Sequence, residues 1–209
     1  MNLLIDELPN EIDGVPIRTN FSAMVLFELM LADSSIPNEN KIALALNYLY
    51  KKPVSDLKKA VDGLLWYYSC GHPPKESNSE FSGGTSLKRA YDFEVDAPMI
   101  YAAFMQVYAI DLNSANLHWW KFCALFQALP EDCRISKIMG YRTMDCSKLK
   151  GEEKKFYEEQ QSKYQLTPLG IEKLSLTAAE KMAKDRVKAR FAEAEKWKNK
   201  REEVKHHGL

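Results

Sequence analysis

Cys70 and His72 are the first side chains to consider for chemistry, because thiolate and imidazole groups bind zinc and other transition metals. They stand two positions apart, whereas Cys123, Cys133 and Cys146 are scattered along the second half of the chain. Structural zinc sites usually supply closely spaced ligand pairs on two arms, and no second pair follows. The pattern favours small buried thiols and a loop histidine over a metal site. No export signal is recognisable, so we expect reduced thiols.

Three acids alternate along the segment that holds Asp92, Glu94 and Asp96. Alternating carboxylates begin the calcium-binding loop, which also needs a glycine at its sixth position and a glutamate at its twelfth. Those positions hold Ala97 and Ala103, so the calcium pattern fails. We therefore expect a short extended stretch in which Asp96 caps the following helix.

The tetrapeptide His118-Trp119-Trp120-Lys121 is the most distinctive in the chain. Tryptophans that stack on bases beside a lysine at phosphate would suit nucleic-acid binding. Successive residues of a helix point about 100° apart, however, so the two indoles cannot form one stacking platform. The surrounding residues are apolar, and we predict that both indoles pack in the core while His118 hydrogen-bonds within it or caps it.

Linear catalytic motifs are missing from the sequence. It contains neither a glycine-rich phosphate loop ending in Gly-Lys-Ser/Thr nor a Gly-x-Ser-x-Gly nucleophile turn. We expect no enzyme, no cofactor and no metal, although a triad that is assembled only in space leaves no linear trace.

The composition limits the class of protein. The 209 residues are 45% hydrophobic and 11% aromatic, which is enough for a real core, and the formal net charge is zero. Nucleic-acid-binding proteins usually carry a basic excess. The longest uncharged apolar run, residues 97–105, is far shorter than the ~20 residues that span a bilayer. We expect a soluble intracellular globular protein.

Hydrophobic spacing predicts a mainly α-helical fold. An Asp13-Gly14 turn between short apolar stretches predicts a hairpin at residues 11–17. Three helices should follow, with Thr19 or Asn20 capping the first, the second opening at residues 37–38, and the third starting at residues 53–56 and closing on Gly71 as a glycine cap.

The second half should be helical as well. We predict a helix at residues 99–105 that is buried on all sides, and a nearly all-apolar helix at 117–126. A short helix should run from Pro130 to Gly140, and a charged one should span residues 148–163. The predicted organisation is an N-terminal hairpin with three helices (1–71), a flexible connector (72–86), an apolar helical core that completes the same body (87–145), and a charged helical extension (146–209).

The extension should contain a long helix at residues 177–205. Residues 180–205 hold ten basic and six acidic side chains, whereas residues 1–33 have a net charge of −5. Val187, Phe191 and Trp197 are large apolar groups without an obvious core, so they are candidate partner contacts. The helix could instead be a solvated one with a weak apolar stripe, and these three side chains could pack back onto the body. It could also bind nucleic acid, but its six interleaved acids disfavour that interpretation.

Several stretches together resemble one family. They are residues 17–21, 63–71, 91–96, 100–104, 108–112, 117–122, 128–132 and 137–142. This sequence is similar to the bacteriophage "gene product fifteen" family of siphophages and prophages of Gram-positive hosts, over roughly residues 9–145 with an extension to about residue 165. The signature residues, which we expect to be structural, are His118, Trp119, Trp120, Lys121, Gly140, Tyr141 and Arg142.

The resemblance implies a protein of the tail-morphogenesis module in the cytoplasm of the bacterial host. Family members are encoded between the tail tube protein and the tape-measure protein, the place that tail assembly chaperones occupy in other long-tailed phages. The implied partners are the tape-measure protein, possibly the tail tube protein, and possibly further copies of the chain. No membrane is implied, and nucleic acid is not an expected partner. The alternatives are a structural virion component and, less favoured, a helical nucleic-acid-binding regulator.

Overall fold

A computed structural model of the chain describes residues 2–72 and 89–166. Within these ranges the chain forms a two-stranded antiparallel hairpin and seven α-helices, so the prediction of a mainly α fold with an N-terminal hairpin is confirmed. The strands are β1 (Glu11–Ile12) and β2 (Val15–Pro16), and the helices are α1 (Phe21–Ala32), α2 (Asn38–Leu49), α3 (Leu57–Tyr68), α4 (Ala97–Tyr108), α5 (Trp119–Gln127), α6 (Arg134–Thr143) and α7 (Gly151–Lys163). The long helix predicted at 177–205 and nearly all of the predicted connector lie outside the described residues. The division into domains stays a prediction.

The hairpin closes through the expected Asp-Gly turn. Asp13 and Gly14 both have positive φ, of 50° and 74°, which is the requirement of the type I′ turn that matches the twist of a hairpin. The hairpin is tied to α3 by a close approach at Gly63, where an added Cβ would lie 2.6 Å from Tyr50 Oη and 2.7 Å from Ile12 Cγ2. Only glycine allows α3 to sit this near the hairpin.

Local capping chemistry explains where the first helices begin. Asn20 Oδ1 accepts the backbone N–H of Ser22 at 3.0 Å to cap α1, and Asp56 Oδ1 accepts that of Lys59 at 3.2 Å to cap α3. The glycine cap expected at Gly71 is shifted by one residue. Cys70, with φ of 56°, takes the left-handed position after α3. Gly71 follows it and donates its N–H to the carbonyl oxygen of Trp66.

The two halves of the chain are joined by backbone hydrogen bonds as well as by side chains. Phe21 N donates to Leu117 O and Trp119 N donates to Thr19 O, both at 2.8 Å. These bonds place the start of α5 beside the start of α1. Helix α1 packs on α2 and α5, α2 packs on α3, and α6 packs on both α4 and α7.

Three expectations about the course of the backbone and the burial of α4 in the second half are wrong. Helix α4 buries Ile100, Ala103 and Phe104 but leaves Met105 42% exposed, because only the face towards α6 and the α5 side chain Phe122 is covered. The short helix does not start at Pro130 or stop at Gly140: residues 130–133 form a turn, and α6 runs through the glycine to Thr143. Residues 92–96 form a turn rather than an extended stretch.

Candidate partner-binding groove

His118 caps α5 and also anchors the segment before the hairpin. Its Nδ1 accepts the backbone N–H of Trp120 at 3.1 Å, so the ring proton sits on Nε2, which lies 3.2 Å from the carbonyl oxygen of Pro9. Tyr67 Oη lies 3.5 Å from the same nitrogen. Burial lowers the pKa of His118, and Lys121 lowers it further, while the hydrogen bond to Pro9 opposes them. The neutral imidazole is therefore the form that this site selects.

We expect the free energy of unfolding to fall when the pH drops below about 6.5, in part because of His118. Its folded pKa is below the ordinary value, so the unfolded chain takes up the proton first and the stabilisation present above pH 6.5 is lost on acidification. A protonated Nδ1 no longer accepts the N–H of Trp120, and a lost N-cap costs about 1 kcal/mol. In urea titrations at pH 7.5 and 5.5, the variant His118→Asn should lose less stability than the wild type. An equal loss in both would contradict this role.

The two tryptophans pack on different tyrosines of α3. Trp119 Nε1 donates to Tyr68 O at 3.0 Å, and Trp120 Nε1 donates to Tyr67 O at 2.8 Å. Both indoles are almost fully buried, whereas Lys121 is exposed. Neither indole is therefore available to stack on a base, and both bind the second half of the chain to the first.

A buried ion pair fixes α6 against the start of α4. Arg142 Nη1 and Nη2 donate to the two carboxylate oxygens of Asp96, at 2.5 and 3.0 Å. Arg142 also donates to the carbonyls of Ala90 and Tyr164. The sequence suggested that Asp96 caps α4, but its side chain makes no capping hydrogen bond. The side chain is wholly buried and accepts hydrogen bonds from the guanidinium and from the N–H of Asp92 instead. This two-pronged contact sets the position of α6.

An apolar groove of about 710 Å³ opens between α5, α6 and α7. Its floor is made by Trp119 and Phe122 of the core, and its sides carry aromatic, methionine and leucine side chains. The apolar side chains of the walls are Tyr91, Phe93, Phe126, Leu129, Met139, Tyr141, Met144 and Tyr157. The few charged groups along it include Glu131 and Lys137. A concave surface that carries several aromatic and methionine side chains is suited to apolar side chains of a peptide or helix.

Gly140 and Tyr141 of the family signature lie on the α6 wall of this groove. A Cβ added at Gly140 would find no atom within 4 Å, so nothing in the body of the protein requires a glycine there for packing. Tyr141 contacts the rings of Phe156, Tyr157 and Tyr164 and thereby joins α6 to α7 and the segment after it. The groove wall thus depends on the same α6 that Arg142 positions.

Another cavity, of about 290 Å³, lies beside a half-buried acid, Glu28, that the sequence did not reveal. Glu28 Oε1 accepts the hydroxyl of Tyr68 at 2.7 Å and lies 3.5 Å from that of Tyr91. Burial raises the pKa of Glu28, although both hydroxyls and Arg89 act against it. Both tyrosines are 40 or more positions from Glu28, so no local pattern could have indicated the cluster.

The thiols of Cys70 and Cys123 interact near this cluster. Their interaction lowers the pKa of the Cys70 thiol and raises that of the Cys123 thiol, which burial raises as well. In the part of the chain that the structure describes, no three His, Cys, Asp or Glu side chains are grouped so that they could hold a metal. The candidate partner contacts Val187, Phe191 and Trp197 lie outside the described residues.

Comparison with known proteins gives one match. A family model described as Bacteriophage Gp15 protein matches residues 4–166 of the chain. That family is not a known enzyme family. No curated protein and no solved structure matches the chain significantly. None of the helices in residues 2–72 and 89–166 is long and apolar enough to cross a membrane.

Proposed function

The chain belongs to the Bacteriophage Gp15 protein family, and from this membership we propose that it is a tail assembly chaperone that holds the tape-measure protein of its phage. The match covers residues 4–166 and includes every signature residue. Family members are encoded between the tail tube and tape-measure genes, which is where other long-tailed phages encode such chaperones. The proposed role is non-enzymatic.

The observation that carries the proposal is the apolar groove between α5, α6 and α7. A tape-measure protein is a very long helix whose apolar stripe aggregates when it is left bare. Such a stripe presents side chains at i, i+3, i+4 and i+7, and an aromatic groove receives them by helix-in-groove packing. Met139 and Met144 add flexible side chains that adapt to different sequences, which suits a chaperone that meets many positions along one helix.

The size of the groove also fits reversible binding. A single groove offers each copy a limited contact with the partner helix, so we expect modest affinity for each copy. Many copies along one tape measure would act together through avidity, and single copies could still be displaced as tube subunits arrive. A chaperone requires this combination, since it must cover the whole helix and then leave it.

Filling the groove should abolish partner binding without unfolding the protein. Position 140 has open space around it, and replacing a mid-helix glycine usually adds stability, so Gly140→Trp should fold normally while its indole occupies the groove. We expect at least tenfold weaker capture of the tape-measure protein in a pull-down titration, or about 1.4 kcal/mol. Ser162→Trp is the matched control, since it adds the same indole at an exposed position of α7 outside the groove.

Equal capture by the wild type and both variants would remove the groove from the proposal. Mass spectrometry of purified phage particles distinguishes the chaperone from a structural tail component. A chaperone should be absent from mature particles, whereas stoichiometric amounts in the particle would favour the structural role.

A further inference from the structure

The groove lies where the described chain ends. Tyr157 of α7 lines the groove, and Tyr164, just past the end of α7, stacks on the groove residue Tyr141 with ring centroids 6.3 Å apart. Arg142 Nε donates a hydrogen bond to the carbonyl oxygen of Tyr164 at 2.7 Å. The described chain stops two residues later, at Leu166, and 43 residues follow. The described part of the chain therefore ends close to the wall of the groove.

The sequence of residues 167–209 complements the groove in its apolar spacing and the rest of the chain in its net charge. Val187 and Phe191 stand four positions apart, with Ala183 four before and Ala194 three after, which is the spacing of one apolar helix face. The segment also carries a net charge of +4, whereas residues 1–166 carry −4. Opposite net charges favour association of the two parts within one chain.

We propose that residues 167–209 dock in the groove of their own chain, with the Val187–Phe191 face against the aromatic walls. About 16 residues separate Leu166 from Ala183, and they reach about 50 Å when extended, so the tether does not limit the contact. A tethered segment acts at an effective concentration in the millimolar range, so weak intrinsic affinity is sufficient. This proposal does not depend on which partner binds to the groove.

Zero-length cross-linking of the full-length protein, without any partner, tests the docking. Carbodiimide couples a carboxylate to an adjacent amine, and Glu131 lies on the groove while Lys184 and Lys188 flank Val187. A mixture of isotopically light and heavy protein separates links within one chain from links between chains. We expect links from Glu131 to lysines of residues 181–200 within single chains.

Two pairs of variants make the cross-linking result specific. Phe191→Asp and Gly140→Trp should each reduce the yield of these links at least fivefold, whereas Val204→Asp and Ser162→Trp should leave it unchanged. Hydrogen exchange provides a second readout, because amides of residues 183–194 should exchange faster in Gly140→Trp than in the wild type. Links between chains only, links from the connector lysines instead, or equal exchange in both proteins would each overturn the proposal. Failure of tape-measure binding would not affect it.

Discussion

Replacing Arg142 by methionine should lower the free energy of unfolding by about 3–5 kcal/mol, which is the usual cost of breaking a buried ion pair from one side. The substitution leaves the Asp96 carboxylate, which has no exposed side-chain area, without its guanidinium partner. It also removes the donors to the carbonyls of Ala90 and Tyr164. Urea denaturation at pH 7 measures the loss.

The double variant Asp96→Asn, Arg142→Met separates the buried charge from lost packing. Asparagine is neutral and still accepts the N–H of Asp92, so the double variant should be at least 1 kcal/mol more stable than Arg142→Met alone. A loss below 1 kcal/mol in the single variant would show that α6 does not depend on this pair. Since α6 forms a wall of the groove, the single variant should also bind partners less well.

Truncating Trp120 to alanine should cost about 3–5 kcal/mol, the range found for large aromatic side chains in cores. Trp120 packs edge-on against Trp66 with ring centroids 5.3 Å apart, and it approaches Gly71 so closely that a Cβ there would lie 2.9 Å from its ring. The change also leaves the buried carbonyl of Tyr67 without the indole N–H. Thermal or urea unfolding measures the effect.

The neighbouring Lys121 supplies the control for this prediction. Lys121 is exposed, so Lys121→Ala should change the free energy of unfolding by no more than about 0.5 kcal/mol. Trp120→Phe should fall between the two, since it keeps part of the ring contacts and loses the hydrogen bond. Equal stability of Trp120→Ala and Lys121→Ala would contradict the placement of the indole in the core.

Features that depend on neighbours in sequence could be predicted well. The Asp13-Gly14 turn, the cap of α1 at Thr19 or Asn20, the start of α3 near residues 53–56, and the break before Asn38 each rest on interactions between residues one to four positions apart. The hydrophobic spacing of α1 to α3 and α5 is likewise a local property. The hairpin and the helices between residues 11 and 127 were therefore predictable in kind and approximate position.

Features that depend on distant partners could not be predicted in the same way. Asp96 looks like a helix cap in the sequence, but its partner Arg142 is 46 positions away, and the ion pair takes precedence over the cap. Apolar composition alone could not show which face of α4 remains open at Met105. Gly140 resembles a residue that ends a helix, but α6 packs on α4 and α7 and continues through the glycine to Thr143.

The groove itself had no linear signature. Its walls come from α5, α6, α7 and the segment around Tyr91, and each contributes side chains that read as ordinary core residues in the sequence. The sequence placed the candidate partner contacts on the C-terminal segment instead. The structure adds a concave surface that includes the signature residues Gly140 and Tyr141, and this is the surface to which we propose that such a segment or a partner helix binds.

The most direct test of the chaperone function is the soluble fraction of the tape-measure protein from the same phage, expressed with and without this chain. We expect the tape measure to be largely insoluble alone, and to become soluble and co-purify with the chain when both are expressed. A tape measure that stays insoluble and forms no complex with the chain would contradict the proposed function, and the structural tail component would become the better account.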